Sequence, residues 1–252
     1  MAIGDELLSG FTLDTNSHWI SGRLRLLGHP VKRVSQIRDR QVEIVEAIQR
    51  EIADPDLTHV FCTGGLGPTP DDRTFEALAA ALGRDLVVWD EVRLKIEKRL
   101  RRMLEVGLIE SAEPNGGHLR MATIPARPEA VLRNRVGSAP GVVYRLDDTF
   151  IYALPGVPAE MKAIFGEEIE PAFLAGGTAG FLREMRLSFA LEGRFYHVLR
   201  ELETSHPDVS VGSYPNFESK ELVLRCQGAD QKRVEDALGI LRRAAIALGY
   251  KA

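Results

Sequence analysis

Short apolar runs and stretches of helical period alternate through the first third of the chain. Ala2-Ile3 is a stub of strand that enters Gly4-Asp5-Glu6-Leu7-Leu8-Ser9-Gly10. A helix is expected from about Thr15 to Leu27, with Trp19, Ile20, Leu24 and Leu27 at helical spacing and Gly28 as its stop. Strand Val31–Ile37, helix Gln41–Ile52 (Val42, Val45, Ile48 and Ile52 on one face) and strand Leu57–Cys62 follow. A further helix runs from Asp72 to Leu82 and ends at Gly83. Such alternation predicts a largely parallel sheet covered by helices on both faces.

The next apolar periodicity is carried by a charged helix, Glu91–Val106, in which Leu94, Ile96 and Leu100 need a core to face. Its Arg and Lys residues are interleaved with Glu91, Glu97 and Glu105, which is the pattern of a solvated face rather than a nucleic-acid patch. Residues 107–129 are rich in Gly and Pro and read as loop or lid. Short strands at Ala130–Leu132, Gly141–Arg145 and Phe150–Ala153 lead to a helix from about Ala159. Leu174–Gly180 reads as a linker. Beyond it, strand Glu184–Leu191, helix Phe195–Thr204, strands Val209–Tyr214 and Glu221–Cys226 and helix Gln231–Leu248 form a small α+β unit. The division expected is 1–173 and 181–252.

Composition narrows the class. The 252 residues are 44% hydrophobic and 27% charged, enough for a core that needs no metal or disulfide staple. With 32 basic and 36 acidic side chains the formal net charge is -4, unlike a chain built to grip nucleic acid. Cys62 and Cys226 each stand in an apolar run, in no C-x-x-C pairing, and read as buried thiols. No stretch approaches the ~20 apolar residues of a membrane span, and Met1 opens no basic-then-apolar leader. A cytoplasmic protein with no membrane partner is expected.

The strongest chemical signal is Thr63-Gly64-Gly65-Leu66-Gly67-Pro68-Thr69-Pro70-Asp71-Asp72. Three glycines where a strand turns toward a helix let backbone N–H groups approach a ligand, and a helix start favours an anion. In open α/β sheets this strand-end crevice is where ligands bind. Neither G-x-x-x-x-G-K-[ST] nor G-x-G-x-x-G is present, and a tight turn capped by Asp71 or Asp72 is the competing reading. Asp14-Thr15-Asn16 follows the first strand. Either Asp14 or Thr15 simply caps the next helix, or Asp14 converges with Asp72 on one crevice, where two carboxylates beside a phosphate can share a hard divalent ion. A third group joins Gly137-Ser138-Ala139-Pro140-Gly141 with Leu154-Pro155-Gly156-Val157-Pro158-Ala159-Glu160, where loop structure and ligand contact both remain open. The six histidines form no metal-ligand spacing, and no G-x-S-x-G elbow is present.

In order and spacing, G-D-E-L-L-S-G at Gly4–Gly10, D-T-N at Asp14–Asn16, T-G-G-L-G-P-T-x-D-D at Thr63–Asp72, V-G-S-A-P-G at Val136–Gly141 and L-P-G-V-P-x-E-M at Leu154–Met161 resemble the amino-terminal domain of the CinA (competence/damage-inducible) family, a branch of the MoaB/MogA-type molybdopterin-binding fold. The resemblance covers roughly residues 1–173, and the remainder is similar to that family's small middle domain. Val211-Gly212-Ser213-Tyr214-Pro215 also resembles part of eukaryotic FAD synthetases. The resemblance implies a three-layer α/β/α fold with a mixed, mostly parallel sheet, plus the small α+β domain. It further implies metal-dependent hydrolysis of a nucleotide pyrophosphate such as ADP-ribose or FAD, with Mg, Mn or Co as the ion. Asp14 and Asp72 would then be catalytic, Asp72 and Asp71 would hold the metal, and Asn16, Gly64, Gly65, Gly67, Thr69, Ser138, Pro155 and Gly156 would contact substrate. A non-catalytic molybdopterin- or nucleotide-binding protein is the alternative. Self-association into a homo-oligomer is expected under either, and the family's amidase activity is not. The family's N-N-R-K-Q-A segment is matched loosely by Gly117–Ala122.

Overall fold

The structure is a computed structural model that describes residues 1–177 and 180–251. The linker expected at 174–180 therefore falls partly, at Thr178 and Ala179, outside the described residues. The chain divides into two units, one of Met1–Gly22 with Val31–Ala175 and one of Arg23–Pro30 with Gly176–Ala252.

The chain opens with β1 (Ala2–Ile3), α1 (Asp5–Leu8), the helix α2 (Thr15–Leu26), β2 (Gln36–Ile37), α3 (Gln41–Ile52), β3 (His59–Thr63) and α4 (Thr74–Leu82). It continues through β4 (Leu86–Val88), α5 (Asp90–Glu105), α6 (Gly116–Met121), β5 (Thr123–Pro125), β6 (Ala130–Leu132), β7 (Gly141–Leu146) and β8 (Thr149–Leu154). Helix α7 (Pro158–Ile164) then passes through a π-helical turn at Phe165–Ile169 into α8 (Glu170–Phe173). The main sheet has the order β2-β1-β3-β8-β7-β6. Strands β2, β1, β3 and β8 are parallel; β7 pairs antiparallel with β8, and β6 antiparallel with β7, so β6 again runs with β8.

Alternation along β3 sends its residues to two different layers. Val60 and Cys62 join Ile44 and Ile48 of α3, Leu78 of α4 and Ile96 of α5 in one core. On the other face Phe61 stacks on Tyr152 at 4.3 Å between ring centroids and meets Phe165, which Trp19 of α2 approaches edge-on at 5.4 Å. Sequence pattern and structure agree on this layered, mostly parallel architecture.

Several elements differ from expectation, each for a local reason. The strand expected over Val31–Ile37 is only Gln36–Ile37, because β1 offers two pairing residues and the ladder ends with them. In α3 the buried stripe is Ile44, Ala47, Ile48 and Glu51. Val42 lies about 200° around the helix from Ile44 and is exposed. Burial pulls the Glu51 carboxyl up, but the Arg50 and Arg33 guanidiniums outweigh it and hold it below the ordinary range. Helix α5 buries Val92, Ile96 and Leu100, leaving Leu94 exposed. The Gly/Pro-rich 107–129 stretch is not a lid: Asn115 and His118 form a capping box for α6, and β5 pairs with β4. The three-residue strands β4 and β5 carry too little periodicity to stand out in the sequence, whereas β6 matches the expected Ala130–Leu132.

The second unit places β9 (Phe181–Ser188), α9 (Tyr196–Ser205), β10 (Val209–Asn216), β11 (Glu221–Gly228) and α10 (Gln231–Ala247) in the expected β-α-β-β-α order. Its antiparallel sheet runs β10-β11-β9 and builds its own core from Leu187, Phe195, Leu222, Leu224, Val234 and Leu241. No helix among the described residues is long and apolar enough to cross a membrane.

Both cysteines are free and buried, and burial raises each thiol to about 11. Neither Cys62 nor Cys226 is expected to react with iodoacetamide at pH 8 in the folded chain, whereas both react in denaturant. Mass spectrometry of the alkylated protein checks this, and rapid labelling of the folded chain contradicts it.

Candidate functional site

Three parallel strand ends and two loops of the first unit surround one cavity of about 520 Å³. That is well inside the ~300–1,000 Å³ usual for small-molecule sites. Gly64, Gly65, Gly67, Asp71 and Asp72 come from the loop after β3, and Asp14 and Asn16 from the start of α2. Ser138 comes from the turn before β7, and Pro155 and Gly156 from the loop after β8. All these residues line the cavity, so the convergence of Asp14 with Asp72 inferred from strand order is a property of the fold.

The glycine loop is shaped by contacts that exclude side chains. Gly64 has φ +99°, and a Cβ there would stand 2.2 Å from the Ile3 carbonyl oxygen. Gly65 has φ +64°, and a Cβ would meet the Thr74 hydroxyl at 2.3 Å. That hydroxyl donates to the Gly64 carbonyl at 2.8 Å, while the Thr74 amide donates to the Gly65 carbonyl at 3.1 Å. Helix α4 therefore begins at Thr74 rather than Asp72, and its first amide is taken by the loop. Of the two features expected from sequence, the glycine backbone lines the cavity at Gly64–Gly67, while the first amide of the helix is not open to a ligand.

Thr69 was expected to touch substrate, but it does not line the cavity. Its amide and hydroxyl donate to Asp72 Oδ2 at 2.8 and 2.5 Å, which fixes that carboxylate in a tight turn. Arg120 anchors the same turn by donating to the Asp72 carbonyl at 2.9 Å, and it pairs with Glu76. Asp14 does cap α2: its Oδ1 accepts from the Ser17 amide at 2.9 Å. Among the described residues, Asp14 is held through Oδ1 and Asp72 through Oδ2, and the second oxygen of each makes no hydrogen bond.

Asn16 is 8% exposed, and its Nδ2 donates to the Gly156 carbonyl at 2.7 Å. Among the described residues its buried Oδ1 has no hydrogen-bond partner. An acceptor left so costs about 1–3 kcal/mol, and that cost is recovered when a donor arrives.

Sequence reading passed over Asp39 in the wall and Asn134 behind it. Asp39, at the end of β2, accepts from the Asp5 amide at 2.8 Å and lines the cavity. Burial is the largest reason its carboxyl is raised above the ordinary range; the charges of Glu6, Asp5 and Asp71 add to this, and the Asp5 N–H opposes it. The strand-end logic that found Asp14 and Asp72 also applies to Asp39. Asn134, 2% exposed, holds the turn before Ser138, accepting from the Val136 and Gly137 amides and donating to the Ala139 carbonyl and Glu160. Glu160 and Arg99 complete the charged wall.

That wall carries six carboxylates (Glu6, Asp14, Asp39, Asp71, Asp72 and Glu160) against the single guanidinium of Arg99. Among the described residues no three His, Cys, Asp or Glu side chains are grouped to form a metal cage. The adjacent carboxylates Asp71 and Asp72 suit a hydrated hard cation shared with a phosphate, because Mg²⁺ is usually bound through one or two carboxylates and substrate oxygens. Leu7, Leu13, Leu66, Met121 and Val157 give the same cavity apolar wall for a planar ring.

Comparison with known proteins identifies the family and the fold. Residues 1–175 match the family model described as a probable molybdopterin binding domain, and residues 181–247 match the middle domain of FAD synthase. A Pyrobaculum aerophilum protein is 37% identical over 85% of this chain and 78% of its own length. A Thermococcus kodakarensis protein is 33% identical over 98% of this chain and 97% of its own. The crystal structure of the protein CinA from Thermoplasma acidophilum, described as of unknown function, is 32% identical. It superposes with a TM-score of 0.60 and covers 68% of this chain and 93% of that one. This chain belongs to the probable molybdopterin binding domain family and has a CinA-like fold.

Proposed function

We propose that this chain hydrolyses the pyrophosphate bond of a dinucleotide such as ADP-ribose or FAD. The observation that carries the reading is the meeting of Asp14 and Asp72 with the Gly64–Gly67 backbone in one acid-lined cavity. The glycine loop holds a phosphate through backbone amides, and the apolar wall receives a ring. Asp72, fixed by Thr69, and its neighbour Asp71 would hold a divalent cation, Mg²⁺, Mn²⁺ or Co²⁺. When bound, that ion offsets phosphate charge that the six carboxylates would otherwise repel. Asp14 orients a water and takes its proton as the water oxygen attacks phosphorus. The bond from that phosphorus to the bridging oxygen breaks, and two phosphomonoesters leave. The middle-domain match to FAD synthase at residues 181–247 favours a nucleotide over a free pterin as ligand.

The test is mononucleotide formation from ADP-ribose, FAD and NAD, with each of the three ions set against a chelated control. Cleavage of at least one compound that stops with chelator is expected. Thermal stabilisation by the same compounds without product would instead make this a binding protein.

A further inference from the structure

Helix α5 reads in sequence as an ordinary solvated helix, yet one of its cations enters the cavity wall. Lys95 and Arg99 lie one turn apart on the same ridge, next to the buried stripe of Ile96 and Leu100. The Lys95 ammonium is spent on the turn before Ser138, donating to the carbonyls of Asn134 and Gly137. Arg99 has only one long contact there, from Nη1 to the Val136 carbonyl at 3.4 Å. A guanidinium carries five donors in a planar fork, so most of Arg99's capacity is unused. It also makes no ion pair among the described residues, although six carboxylates share the cavity with it. A cation that faces so many acids and pairs with none is placed for an anion brought from outside.

We infer that Arg99 is the phosphate-binding side chain of this cavity, gripping a nucleotide phosphate that the glycine loop holds through backbone amides. This rests on the nucleotide reading above. The planar fork matches two phosphate oxygens at once, which an ammonium does not. Arg99 thus selects a phosphorylated ligand over the bare nucleoside, in a wall whose net charge would otherwise reject it.

The experiment measures ADP and adenosine binding to the full chain by calorimetry, with Mg²⁺ present, in the parent and in Arg99→Ala, Arg99→Lys and Lys98→Ala. Lys98 is exposed one residue away and does not line the cavity, so it controls for loss of charge. Arg99→Ala is expected to weaken ADP by ~10- to 100-fold, the range of charged hydrogen bonds, and to leave adenosine unchanged. Arg99→Lys falls between, and Lys98→Ala binds like the parent. ADP affinity unchanged in Arg99→Ala, or an equal loss for ADP and adenosine, overturns the inference while the nucleotide reading stands. A parent that binds neither compound overturns that reading instead.

Discussion

Gly64→Ala is expected to lower the melting temperature of the first unit by roughly 6–12 °C, the shift that about 3 kcal/mol produces in a domain of this size. Two independent penalties act at this position. The backbone holds φ at +99°, which a side chain disfavours. The added Cβ would also stand 2.2 Å from the Ile3 carbonyl oxygen, a backbone atom that no rotamer change can move aside. Gly64 sits at the junction of the sheet: its amide donates to the Leu154 carbonyl of β8 at 3.0 Å, and the preceding Thr63 amide donates to the Met1 carbonyl. Relief of the clash therefore requires β1 to part from β3 or the loop to leave β8. Gly156→Ala is the matched control, because its Cβ would stand 3.3 Å from Gly64 Cα and has a negative-φ backbone. It is expected to lose less than half as much. Circular dichroism melts of the two variants decide the matter, and a Gly64→Ala protein that melts within a degree of the parent refutes the account.

How far the sequence anticipates this depends on how local each signal is. Helix α3 is bounded correctly at Gln41 and Ile52 because its period is sustained over three turns, though its buried side was misjudged through Val42. The glycine loop and the Asp14-Thr15-Asn16 string are legible because strand-end position and residue chemistry coincide within a few residues. Whether Asp14 and Asp72 meet depends instead on strand order, and only the pairing of β1 with both β2 and β3 settles it. Thr69 shows the converse. Its hydroxyl looks suited to a ligand, but the turn folds it back on Asp72. Arg99 had no local signature at all, since a charged helix reveals which of its cations faces a cavity only once the turn before Ser138 has packed against it. Asn134 is similar: a buried amide that satisfies four partners is indistinguishable in sequence from a loop asparagine.

Asp72→Asn is expected to leave the fold intact and to cut turnover of the cleaved dinucleotide by at least ~10²-fold, a loss of about 3 kcal/mol of transition-state stabilisation. The fold survives because an amide oxygen accepts from the Thr69 amide just as Oδ2 does, so the turn that positions residue 72 keeps its geometry. Removal of the charge is what matters. Asp71→Asn is expected to cost less, because Asp71 is exposed, whereas Asp72 is half-buried and held by the Thr69 amide. Asp14→Asn separates the two roles: the Ser17 cap persists through the amide oxygen, and proton transfer alone is lost, ~10²–10⁴-fold. The metal dependence of each variant distinguishes them. An Asp72 variant that regains activity at higher Mn²⁺ concentration points to lost ion affinity, whereas the Asp14 variant stays slow at every concentration. Asp72→Asn with parental turnover would remove the glycine-loop carboxylate from the reaction and leave the cavity as a binding site.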